Sequence, residues 1–197
     1  MKIVVCIKQV PDTKGGVKFN PDGTLDRSAM MAIMNPDDKG GLEFALQLKD
    51  QYGAHVTVIT MGPPQAEAIL REAYAMGVDR AILLSDRKFG GADLDLPQVT
   101  YVESLTFDGN KTFTVKKSME DGYQMVQVDT PCVFTALASG VKPRYMSVRG
   151  IVEAYNHPIE TWTYNDITVD DQKIGLNGSP TRVFKSFTKG VKAAGQI

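Results

Sequence analysis

The residues with the most chemical character in this chain are not a nucleophile and its base. They are short loops rich in glycine, proline and carboxylate: Asn-Pro-Asp-Asp at residues 35–38, Met-Gly-Pro-Pro at 61–64 and Phe-Gly-Gly-Ala-Asp at 89–93. Glycine lets backbone approach a bound molecule closely, and the unpaired N–H groups at a helix start attract phosphate. Nucleotide binding is the chemistry such loops suit, with Gly62, Gly90 and Gly91 as points of close approach. Each loop taken alone is equally readable as an ordinary connection punctuated by Gly and Pro. The sequence has no GxGxxG, no GxxxxGK[ST], and no Ser/His/Asp or paired-carboxylate arrangement. Cys6 and Cys132 sit in apolar runs without metal-ligand spacing and read as buried thiols, and His55 and His157 are isolated and read as structural.

Those loops need a scaffold that brings them together. A chain of 197 residues, 43% apolar, can bury one good core and a smaller appendage. Residues 3–7 form a continuous apolar, largely β-branched run, the pattern of a strand covered on both faces. Asn-Pro-Asp-Gly at 20–23 suggests a hairpin turn. Asn35 can then N-cap a helix, with Pro36 at N1 and Asp37 and Asp38 complementing the dipole, and Gly53 ends it. A strand over 54–60 follows. Ala66, Ile69, Leu70 and Ala73, with Met76 or Gly77, next line one face of a second amphipathic helix, and a third strand spans 80–85. Strands and helices alternating in this way predict an α/β fold, a Rossmann-like parallel sheet flanked by helices. Ligands bind such sheets beyond the carboxyl ends of the strands. Residues 6–10 with 35–38, residues 61–64 and residues 89–93 should therefore share one site.

After residue 95 the pattern changes. Strands over 98–105, 111–117 and 123–128, separated by Phe-Asp-Gly-Asn and Met-Glu-Asp-Gly turns, predict an appended antiparallel β region with Pro-Cys-Val-Phe-Thr-Ala-Leu as its core strand. Residues 138–158 then show poor periodicity. Tyr145, Met146, Val148 and Ile151, rimmed by Lys142, Arg144 and Arg149, suit a docking surface; a helix starting at Ser147 is the competing reading. The chain thus divides into a nucleotide-binding α/β part (1–95), a β meander completing it (96–135), a recognition loop (136–158) and an extended C-terminal segment (159–197) that would lie across another subunit. A net charge of −1 argues against nucleic acid as the main partner. The first apolar run, broken by Lys8, is too short for a leader or a membrane span, so the protein reads as cytoplasmic, without membrane insertion.

Six segments, at 2–13, 34–49, 56–93, 96–105, 142–151 and 178–188, make the chain resemble the β (small) subunits of electron-transfer flavoproteins. The stretch from Val-Ile-Thr-Met-Gly-Pro-Pro-Gln-Ala-Glu to Phe-Gly-Gly-Ala-Asp is similar to forms in anaerobic bacteria, many of which bifurcate electrons. The resemblance implies an adenine nucleotide α-hydrolase-like fold. It also implies a heterodimer with a larger α subunit whose FAD carries electrons to or from a flavin-dependent dehydrogenase. In housekeeping members the β subunit holds structural AMP. In bifurcating ones it holds a second FAD that takes hydride from NADH, with ferredoxin as a further acceptor, so the chain would be catalytic only within the complex. Carried over by position, Cys6, Ile7 and Lys8 meet the adenine, Asn35, Pro36, Asp37 and Asp38 form the helix start, and Met61, Gly62, Pro63 and Pro64 follow the second strand. Gly90, Gly91, Ala92 and Asp93 lie by the flavin. Arg144, Tyr145, Val148, Arg149 and Ile151 fall in the loop that anchors partner dehydrogenases. Fold alone would equally allow a nucleotide-binding sensor with no redox role.

The chain also departs from the family pattern. Between Asp93 and Leu94 the family has a helix, a strand, a nucleotide loop and another helix, more than one βαβ unit or roughly 45 residues, and a C-terminal helical arm is expected beyond Ile197. Losing a central strand with its helices should uncover apolar faces of the sheet. Either a stretch of the natural chain is missing from this sequence, or the deletion is real and cripples nucleotide binding. A Cα separation at Asp93–Leu94 well above roughly 3.8 Å would favour the first.

Overall fold

The computed structural model describes residues 1–12, 32–89, 98–137, 139–172 and 174–178. Its first layer is a parallel sheet built from β1 (Lys2–Cys6), β4 (His55–Met61), β5 (Arg80–Leu84) and β10 (Ile159–Trp162), in the order β1-β4-β5-β10. A short ladder of β2 (Gln9–Pro11) and β3 (Ala32–Met34) leads into α1 (Pro36–Tyr52), and α2 (Glu67–Met76) joins β4 to β5. Gly53 and Gly77, at φ 64° and 117°, end the two helices in the left-handed region that glycine alone enters freely. Two crossovers that step in the same direction, β1 to β4 to β5, carry both helices onto one face. There Val5, Val56, Val58, Ala81 and Leu83 bury against Leu42 and Leu46 of α1 and Ile69, Leu70 and Ala73 of α2.

The second layer is a mixed sheet in the order β8-β7-β6-β9, from β6 (Gln98–Phe107), β7 (Thr112–Met119), β8 (Gly122–Asp129) and β9 (Val133–Ala136). The three antiparallel strands form as expected, but β9 runs parallel to β6. Its inner face, with Val102, Phe107, Phe113 and Val115, packs on Phe44 and Leu48 of α1. Helix α1 is therefore held between two sheets, and its apolar residues fall on two faces because it has two cores to fill. The chain ends its described course with α3 (Val148–Ala154), β10 and a short α4 (Gly175–Gly178).

Three expectations change. The Ile-Glu-Thr-Trp of 159–162, assigned to an extended C-terminal segment, is a strand of the parallel sheet, fixed to β5 by register and by the two-pronged Arg80–Glu160 ion pair. Asn35 is the N-cap of α1 but its side-chain oxygen makes no capping hydrogen bond; the side chain instead donates its amide N–H to Asp38 Oδ1 at 2.9 Å. Cys6 is not buried and Cys132 is only partly so. For Cys6 the reason lies in β1, an edge strand whose outward face nothing covers among the described residues: Val4 is 60% exposed, although the run from Ile3 to Ile7 has the composition of a central strand. The hairpin turn at 20–23 and the Asp93–Leu94 junction fall outside the described residues.

Candidate nucleotide site and docking surface

At the carboxyl ends of the parallel strands the first two expected loops meet. Lys8 donates its N–H to Asp38 Oδ2 at 2.7 Å, and its carbonyl accepts from Asn35 N–H at 2.9 Å, so the turn after β1 is tied to the start of α1. Gln9 Nε2 reaches the Gln65 carbonyl at 3.3 Å, tying the same turn to the start of α2. Met61 stands exposed beside Leu84, which in turn registers with Trp162. Gly90, Gly91, Ala92 and Asp93 lie outside the described residues.

The geometry changes what this site can hold. Its first helix start carries two carboxylates, an exposed Asp37 and the engaged Asp38, which repel phosphate. Its second start is poor in donors. Pro63 and Pro64 have no N–H, Gly62 N–H is bonded to the Leu84 carbonyl, and Ala66 N–H to that of Pro63. These carboxylates and prolines make the two helix starts less favourable to phosphate than their position alone suggests. Carboxylates accept hydrogen bonds, which suits groups that donate them, such as hydroxyls and amines, better than phosphate. Gly62 also serves its own loop, since a Cβ there would stand 3.3 Å from Ala66 Cβ. Ile7 contributes no side chain, being 3% exposed in the core with its N–H on the Ile59 carbonyl. Cys6 stands on the open face, and partial burial, then the Asp38 carboxylate, raise its thiol pKa.

Sequence reasoning missed one wall of this end of the sheet. Because β10 is parallel to β5, the turn Tyr164–Asp166 also lies at the carboxyl side. Asp86 accepts from the N–H groups of Lys88 and Tyr164, which hold its carboxyl below the ordinary value, and Lys88 Nζ sits 3.6 Å above the Tyr164 ring. The alternation Ile-Glu-Thr-Trp was the available signal. A separate cleft of about 640 Å³, lined by Met1, Val4, Tyr52, Phe113 and Phe134 among others, opens at the other end of β1 and is not this site.

The segment expected to dock a partner is a helix, started by Ser147, whose hydroxyl accepts from Gly150 N–H at 2.9 Å. Val148 is 82% and Tyr145 86% exposed, and Val152 and Tyr155, which sequence reasoning did not single out, continue the Val148 stripe at helical spacing. Ile151 flanks that stripe and Arg149 is exposed beside it, paired with Glu153. Arg144 does not join the rim. Its guanidinium lies on Glu43, only 5% exposed on α1, and on Asp50.

The family model described as the electron transfer flavoprotein domain matches residues 22–94 and 91–167. The chain belongs to the electron transfer flavoprotein family. It is 46% identical to the electron transfer flavoprotein subunit beta of Clostridium acetobutylicum, over all of this chain and 92% of that one. It is 42% identical to the caffeyl-CoA reductase-Etf complex subunit CarD of Acetobacterium woodii, over 100% and 91%. With the acryloyl-CoA reductase electron transfer subunit gamma of Anaerotignum propionicum it shares 41%, over 99% and 91%.

For a flavoprotein chain of this family, the shape of those matches is as informative as their strength. The Clostridium alignment runs to 239 positions against 197 residues here, so at least 42 of its positions have none opposite, close to the stretch expected to be missing. The family match itself breaks at 91–94, beside the expected junction. Among the described residues, no helix is long and apolar enough to cross a membrane.

Proposed function

We propose that this chain is the β subunit of a heterodimeric electron transfer flavoprotein, pairing with a larger α subunit and carrying electrons between NADH, ferredoxin and an acyl-CoA-type flavin dehydrogenase. The observation that carries the reading is the convergence of the 6–9, 35–38 and 61–65 segments at the carboxyl ends of the sheet in a chain of this family. The adenosine half of an FAD would rest on Asp37, Lys8 and Met61. Bound there, the flavin would supply hydride and single-electron chemistry, and the protein the binding and orientation. Two carboxylates at one helix start and two prolines at the other disfavour its phosphates there, so the residues after Phe89, Gly90 to Asp93 included, and the stretch that relatives add would cradle them. The names of the Acetobacterium and Anaerotignum relatives favour an acyl-CoA-type partner, and the exposed stripe from Val148 to Tyr155 is the surface offered to it.

The test is flavin stoichiometry. The chain is coexpressed with an α subunit, once as it stands and once with the Clostridium stretch grafted after Asp93. The expected result is two FAD per grafted heterodimer, with NADH-driven dye reduction, and one FAD without the graft. One FAD plus one AMP in the grafted complex would instead assign the housekeeping role.

A further inference from the structure

The docking helix is too short to hold itself. Seven residues make under two turns, and isolated helices below roughly a dozen residues are marginal in water. Its order has to come from what lies underneath, and that is α2. Gly150 and Ala154, four residues apart, face α2. Ala154 is buried, and a Cβ on Gly150 would stand 2.5 Å from the Ala75 carbonyl oxygen, so the backbones meet there with no room for a side chain. Arg71 of α2 closes the far end. Its Nη1 donates to the carbonyls of Ala154 at 2.8 Å and His157 at 2.7 Å, its guanidinium lies 5.6 Å from the centre of the Tyr155 ring, and Glu67 holds it from behind. Tyr74, one turn on, stacks on His157 and donates to the Pro158 carbonyl at 2.7 Å. At the near end Arg144 fastens the approach to α1.

We infer that Arg71 and Gly150 are positioning residues for partner docking: they preorganise the Val148–Val152–Tyr155 stripe without being part of it. The inference rests on the docking reading above. Ordering this segment only on binding would weaken association, since each immobilised side chain and loop subtracts from affinity. Loosening the seat should raise the concentration of flavoprotein needed by the dehydrogenase and leave electron transfer within the complex unchanged.

The experiment compares the α/β complex carrying wild-type chain, Arg71→Met, Gly150→Ala and Val148→Asp, with Anaerotignum propionicum acryloyl-CoA reductase as acceptor and a small dye as the control acceptor. Amide exchange over 148–157 is read on the same samples. For Arg71→Met and Gly150→Ala the expected result is faster exchange across that span and a KM for the flavoprotein raised about tenfold, with kcat and dye reduction unchanged. Exchange as slow as in the wild type, or a loss confined to kcat, would overturn the inference. An unaltered KM in Val148→Asp would instead remove the docking reading beneath it, while the exchange data would still decide whether Arg71 and Gly150 order the helix.

Discussion

Arg144 shows how far a residue's type can mislead about its place. Among Tyr145, Met146 and Val148 it looks like a rim cation, yet it donates to both oxygens of a carboxylate buried on α1. Removing it would strand that charge. Arg144→Met is therefore expected to destabilise the protein by about 3 kcal/mol in denaturant unfolding. The double variant Glu43→Gln, Arg144→Met, which leaves no unpaired buried charge and only the solvent-exposed Asp50 without its partner, should recover most of the loss. Asp79 gives a pH-dependent case. Burial alone would raise its carboxyl, but the Lys49 ammonium at 2.6 Å and the Val56 N–H at 2.9 Å outweigh this and hold it below its ordinary 3.8. A depressed carboxyl stabilises above its unfolded value and loses that contribution as pH falls through the folded one. Asp79→Asn should thus lower stability by about 1 kcal/mol near neutral pH. The gap between variant and wild type should narrow below pH 3.8 in acid titrations of unfolding.

The decisive element is β1. Its composition is that of a strand buried on both faces, whereas its outward residues Lys2, Val4 and Cys6 are exposed. Both crossover helices sit on the other face, so covering this one falls to chain that returns after a reversal of strand order. A valine left in water forgoes about 1–2 kcal/mol of burial. Cys6 makes the consequence measurable. In the chain as it stands the thiol, the more exposed of the two, should alkylate in the native state well ahead of Cys132, and its rate should climb as pH rises, because partial desolvation of the sulfur and the Asp38 carboxylate raise its pKa. With the Clostridium stretch grafted after Asp93, protection of Cys6 is expected. Unchanged alkylation would mean that the added stretch does not lie on β1.

At the scale of the whole molecule two cores share one helix, and the two proposed surfaces occupy different parts of the fold: the candidate nucleotide loops at the carboxyl ends of the parallel sheet, the exposed apolar stripe on α3. Much of this was determined by sequence alone. The spans of α1, α2 and the first three parallel strands follow from hydrophobic period, glycine stops and the Asn35-Pro36 start, all local signals. So does the meeting of the turn after β1 with the two helix starts, since these lie at strand ends on one side of an alternating fold. Only the tertiary structure decided the rest, because the deciding contacts are remote in sequence. Glu43 meets Arg144 across 101 residues and Arg71 meets His157 across 86. β10 joins β5 through a register set some 80 residues away. The exposure of Cys6 likewise depends on what does or does not come to lie on β1, which no pattern within residues 3–7 records.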